Sequence, residues 1–92
     1  MATAGSATVT TAETTIFEDS SGCTSFDVTV DSGSSNDVQV NVSGLHDSGE
    51  WFNIQVGDSR VFRLNNMGIR KVTAKGNGGS ADIHYGVVAK TA

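Results

Sequence analysis

Gly57 to Val88 reads GDSRVFRLNNMGIRKVTAKGNGGSADIHYGVV, and this stretch decides the fold. Apolar and polar residues alternate over Ile69 to Lys75 and again over Ser80 to Lys90, and the two runs meet at Gly76-Asn77-Gly78-Gly79. A period of two marks a strand with one buried face. Asn-Gly tolerates the positive φ of a type I′ turn, so the two runs are expected to pair as a hairpin. In that register Val72 opposes Ile83, Ala74 opposes Ala81 and Arg70 opposes Tyr85. Centring the turn on Gly78-Gly79 changes the partners but not the faces, so Val72, Ala74, Ala81, Ile83, Tyr85 and Val87 point inward either way. Ile69 falls on the opposite face from Val72 unless a bulge intervenes near Arg70-Lys71.

The same alternation extends upstream. Asn65-Asn66-Met67-Gly68 reads as a turn, and Ser59 to Leu64 as a strand with Phe62 and Leu64 inward and Val61 and Arg63 outward. Glu50 to Val56 places Phe52, Ile54 and Val56 on one face and Trp51 on the other, where it covers an edge or meets a partner. Thr24 to Asp31 buries Phe26, Val28 and Val30, and Asp37 to Ser43 buries Val38, Val40 and Val42; the Ser32 to Asn36 turn suggests that these two strands form a second hairpin. Six or seven strands at spacings near ten residues, without a helical pattern, predict an all-β fold: a single antiparallel β-sandwich or small barrel of six to eight strands. Val and Thr suit a pleated surface, and with no proline in the chain the turns rest on Gly, Asn, Asp and Ser.

The predicted domain covers residues 16–92. Residues 1–15 are rich in Ala, Thr and Ser and bury little by themselves, so they read as an extended N-terminal arm that is either frayed or docked. The β-prone run Thr8, Val9, Thr10 and Thr11 is the segment suited to adding a strand to a neighbour. Ninety-two residues make one domain, burying roughly 60–65% of the unfolded surface.

Charge is divided along the chain. Nine acidic residues and no basic one precede Arg60; the six basic residues from Arg60 onward share their part with Asp82 alone. The net charge of −4 argues against a dedicated nucleic-acid binder. The outward row Val61, Arg63, Lys71, Lys75 and His84 is what the C-terminal strands offer a partner. Arg60 and Arg63 read equally as charges that keep a sheet edge from aggregating and as guanidinium contacts for carboxylates. If basic and acidic strands lie side by side, the charges instead pair within the monomer, each exposed pair contributing under about 1 kcal/mol.

Motifs for catalysis are absent from the sequence: it holds no G-x-S-x-G, H-E-x-x-H, P-loop or C-x-x-C. No catalytic residue, metal site or cofactor is expected, and the chain is not expected to be an enzyme. His46-Asp47-Ser48 with Glu50 is read as a solvated loop, since a metal wants three or four converging ligands. Cys23 reads as a small buried residue, with an intermolecular disulfide as the alternative. The N-terminus lacks a basic region and an apolar core, so it is not a signal peptide, and no run approaches the roughly 20 apolar residues of a transmembrane helix.

Several of these elements together resemble small virion proteins of tailed bacteriophages, in particular head decoration (cement) proteins. They are the Ser/Thr/Ala-rich start, Val56-Gly57-Asp58-Ser59, Phe62-Arg63-Leu64, Gly68-Ile69-Arg70-Lys71-Val72 and Gly76-Asn77-Gly78-Gly79-Ser80-Ala81-Asp82-Ile83. The resemblance spans about residues 24–89. It implies a structural protein on the outer surface of a capsid, made in the host cytoplasm, bound to the major capsid protein as a trimer or dimer and reinforcing the head. No membrane or direct nucleic-acid contact is then expected, and Thr8 to Thr15 becomes the capsid-docking arm. The alternative is a receptor- or carbohydrate-binding module of a phage tail or fibre, for which Trp51 is the platform.

Overall fold

The computed structural model describes residues 4–64 and 68–89. Eight strands follow in order: β1 (Ala4–Val9), β2 (Thr14–Cys23), β3 (Ser25–Val30), β4 (Val38–Val42), β5 (Phe52–Ile54), β6 (Ser59–Arg63), β7 (Ile69–Gly76) and β8 (Ala81–Ala89). No helix occurs among the described residues. The strands form two four-stranded antiparallel sheets, ordered β1-β8-β3-β6 and β2-β7-β4-β5. Their pairing is nested. β1 lies with β8, β2 with β7, β3 with β6 and β4 with β5, while β3–β8 and β4–β7 contacts join these pairs into sheets.

One hydrophobic cluster takes side chains from both sheets: Phe26, Val28, Val30, Phe62 and Ile83 from the first, and Phe17, Val38, Val40, Val42, Ile54 and Val72 from the second. Phe17 and Phe26 meet between the sheets with ring centroids 5.0 Å apart, and Phe52 and Phe62 do so edge-on at 5.7 Å. The inward residues read from the alternation are where they were expected, with Tyr85, Val87, Phe52, Val56 and Leu64 half-buried against the cluster. Each fully buried valine contributes about 1.5–3 kcal/mol. Ile69 is also buried, because Arg70 and Lys71 are both exposed before Val72 turns inward, as the anticipated bulge requires. The β2–β7 register shifts beside it, between Glu18 and Cys23. Cys23, level with Ile69, is fully buried, which removes its thiol from intermolecular exchange.

Both expected hairpins are corrected. β7 and β8 do not pair: Val72 lies opposite Phe17 and Val42, and Ile83 opposite Ala7 and Val30. β3 and β4 likewise lie in different sheets. Alternation states which side of a strand is buried but not which strand lies beside it. Gly76 to Gly79 is a corner at which the chain crosses from one sheet to the other. A Cβ on Gly76 would overlap the Gly79 carbonyl oxygen, and one on Gly79 would run into the Asn36 amide. Gly78 has φ of 86°. Asn36 Nδ2 donates to the Ser80 carbonyl at 2.9 Å and Asn77 N–H to the Asp37 carbonyl at 2.8 Å, tying this corner to the β3–β4 connection.

Residues 4–9 form β1 along β8 in unbroken register, and Val9 is fully buried. Thr14 and Thr15 already belong to β2, paired with Ala74 and Thr73. The ordering that this polar segment cannot supply comes from β8 and β7 of the same chain. The turn read at 65–68 falls largely outside the described residues.

Candidate binding face

The outer face of the β2-β7-β4-β5 sheet is polar because its strands alternate. With Val40 and Val42 turned in, Gln39 and Asn41 face out; with Val72 and Ala74 turned in, Lys71, Thr73 and Lys75 face out. The register sets Thr73 between Thr15 and Asn41, and places Lys71 beside Glu18 and Lys75 beside Gln39.

Trp51, just before β5, is half-buried at the margin of this face, with Lys75 Nζ 4.3 Å from its ring centroid. Cation–π pairing at such a site is worth about 0.5–1 kcal/mol and holds both side chains. Trp51, Lys71, Asn41, Thr73, Ser43 and Glu13 line a concave cavity of about 370 Å³. That is toward the lower end of small-ligand sites, which span roughly 300–1,000 Å³.

The rim of the cavity is the loop between β4 and β5, and Asn41 fastens it. Its Nδ2 donates to the carbonyls of Asp47, at 2.8 Å, and Glu50, at 2.7 Å. Glu50 Oε1 accepts from Asp47 N–H at 2.6 Å. His46 Nδ1 accepts from Val42 N–H at 3.0 Å, and its ring lies over Phe52 and edge-on to Phe62. This histidine thus clamps the loop to the core, and no group of three His, Cys, Asp or Glu able to hold a metal occurs among the described residues. Asn41→Ala is expected to cost about 1 kcal/mol, the net worth of a hydrogen bond or two at a half-exposed site. Its larger effect is local: amide exchange across 43–51 accelerates and Trp51 fluorescence shifts to the red.

The sequence-predicted site residues are dispersed. Trp51 and Lys71 meet at the cavity. Arg60 and Arg63 lie on β6, the far edge of the other sheet, where Arg60 Cζ sits 4.6 Å over the Phe52 ring and Arg63 is exposed opposite Ser25. Thr8 is exposed on β1 and donates to Asp82 Oδ1 at 2.6 Å, and Val9 is buried. The Thr10 carbonyl accepts from Gly76 N–H at 2.6 Å, and Thr11 is exposed in the following turn. The single outward row expected from the β7–β8 hairpin is therefore split. Lys71 and Lys75 lie on one sheet; Val61, Arg63 and His84 lie on the other, where His84 Nε2 is 3.8 Å from Asp31 Oδ2.

Asn41, Thr73 and Glu13 were not singled out from sequence. The alternation that turns their neighbours inward already turns Asn41 and Thr73 outward; their adjacency depends on β4 pairing with β7, which the sequence does not state. No protein-family model, curated protein or solved structure matches the chain.

Proposed function

We propose that this chain is a non-enzymatic virion structural protein, a decoration protein that binds the outer surface of a capsid and stabilises the head. We further propose that its two sheets are the layers of a β-sandwich with jelly-roll connectivity. The strand order carries the reading. Eight antiparallel strands in two sheets, with β1-β8-β3-β6 on one side and β2-β7-β4-β5 on the other, match the double-sheet arrangement used by viral capsid and lectin domains. A fold alone does not carry a function, so a site must supply it. The Trp51–Lys71–Lys75 face offers an aromatic anchor and two cations among amides and hydroxyls, the kind of surface that fits a carboxylate- and carbonyl-rich protein exterior.

The test is co-sedimentation with expanded capsids of the virus that encodes the chain. Wild-type protein is expected to pellet with the shells. Trp51→Ala combined with Lys71→Glu is expected to weaken the association at least tenfold, or about 1.4 kcal/mol. Wild-type protein left in the supernatant would sink the proposal.

The cavity beside Trp51 favours a second reading, a carbohydrate-binding module. Trp51 flanked by Asn41, Thr73, Glu13 and Lys71 is a grouping that can contact a sugar and hydrogen-bond its hydroxyls. A glycan array distinguishes the two: a hit abolished by Trp51→Ala, without capsid binding, selects the module.

A further inference from the structure

Four strands lie at sheet edges: β1 and β6 in one sheet, β2 and β5 in the other. An open edge is a row of unpaired N–H and C=O groups, and proteins blunt it with charges, bulges or shortness. Three of these edges are blunted. β6 carries Arg60 and Arg63, β2 has two register shifts together with Glu18 and Asp19, and β5 spans three residues. β1 has none of these devices. Its sequence AGSATV is uncharged, and its six residues pair with β8 without a shift. Tyr85 fills the space beside Gly5, so even the glycine leaves no gap.

The phase of β1 follows from its neighbours. Asp31 N–H donates to the Asp82 carbonyl, so the even-numbered residues of β8 direct their backbone groups toward β3. The odd residues Ala81, Ile83 and Tyr85 then bond to β1, through their partners Val9, Ala7 and Gly5. Ala4, Ser6 and Thr8 are left with N–H and C=O aimed at the open edge.

We propose that β1 is a self-pairing edge: two copies of the chain join β1 to β1 antiparallel about a two-fold axis through Ser6, merging two four-stranded sheets into one of eight strands. Ser6 then faces Ser6 of the second copy, and Ala4 faces Thr8 on either side, so every outward N–H of Ala4, Ser6 and Thr8 finds a carbonyl. A strand whose bonding positions are centred on one residue is complementary to itself under a two-fold, as an isologous contact requires. The small, neutral side chains let the copies approach without bringing like charges together. Self-pairing of β1 does not depend on the capsid reading.

Light scattering and sedimentation of the purified chain from low micromolar to near-millimolar concentration test it. Wild-type protein is expected to reach twice the 9.5 kDa of one chain. Ser6→Pro removes the central outward N–H and leaves the β1–β8 bonds in place, so this variant should remain a monomer with a near wild-type melting curve. Ser6→Lys keeps the N–H but sets two ammonium groups against each other, and should also stay monomeric. Ala7→Pro removes an N–H directed at β8 and should lower the melting temperature. The proposal is overturned by a wild-type monomer at every concentration, by a dimer that survives Ser6→Pro, or by equal melting losses for the two proline variants. A strand from another protein on β1, with the purified chain monomeric, overturns it as well.

Discussion

Gly76→Ala is expected to abolish the folded state. The added Cβ would overlap the carbonyl oxygen of Gly79, a backbone atom that cannot swing aside as a side-chain tip can. The corner has little room to relax. Gly76 N–H donates to the Thr10 carbonyl at 2.6 Å, Asn77 N–H to the Asp37 carbonyl at 2.8 Å, and Asn36 holds the Ser80 carbonyl from the other side. Relieving the overlap therefore disturbs β1, the β3–β4 connection and the entry to β8 together. A cost above about 4 kcal/mol is expected, against a total stability of only about 5–15 kcal/mol for a domain of ordinary stability. The readout is loss of a cooperative melting transition by circular dichroism, or accumulation of insoluble protein. Gly49→Ala is the control: Gly49 has φ of 87° and open space within 4 Å, so only the left-handed backbone is penalised, by about 1–2 kcal/mol. If both variants melt alike, steric closure of the corner is not what the fold depends on.

Phe26→Ala is expected to be the most damaging truncation in the core. Phe26 is 1% exposed on β3, with its ring centroid 5.0 Å from that of Phe17 on the facing sheet and 6.0 Å from that of Tyr85 on β8. Removing it opens a cavity where the two sheets meet, at a cost of about 3–5 kcal/mol. For a domain of this size the melting temperature should fall by on the order of 20 °C. Urea unfolding of the wild type, Phe26→Leu and Phe26→Ala tests this, with the leucine variant expected to recover much of the loss. Val61→Ala offers a contrast, since Val61 is 42% exposed on the β6 edge and its truncation should change stability by less than about 0.5 kcal/mol. A Phe26→Ala loss as small as that would show that the two sheets do not depend on this contact.

The same residues explain how much of the fold is legible in the sequence. Val28 and Val30, Val38 to Val42, and Val72 and Ala74 announce both their strands and their buried faces, because period-two burial is written directly into side-chain type. Even the irregularity at Arg70-Lys71 is legible, since Ile69 breaks phase. Partners are not. Val72 faces inward whether its neighbour is Ile83 or Val42, and Gly-Asn-Gly-Gly serves a sheet-to-sheet corner as well as a hairpin. β2 escapes notice because the register shifts near Ile16 and between Glu18 and Cys23 erase its alternation. β1 escapes because Ala, Gly and Ser carry almost no burial signal, and its order comes from β8, more than seventy residues away. At the candidate face, Trp51 and Lys71 stand out by residue type. Asn41, Thr73 and Glu13 become a site only through pairing across three strands.

The nested pairing also has a consequence for the order in which the chain can fold as it is made. Synthesis runs from the N-terminus at about 5–20 residues per second, yet the strands made first are partnered by those made last. β1 and β3 both await β8, and β2 and β4 both await β7; only β4 and β5 can pair with a near neighbour. A chain that lacks residues 69–89 keeps only one of the two central strands of each sheet, β3 and β4, and leaves β1 and β2 with no partner strand. Neither sheet can be completed until residues 69–89 have been made, and loop closure over most of this chain length makes folding slow for so small a domain, in the millisecond-to-second range. During that wait the valine-rich segments at β3 and β4 stand open to water, and the earliest-made half of the molecule is the part that most needs protection from its neighbours on the same message.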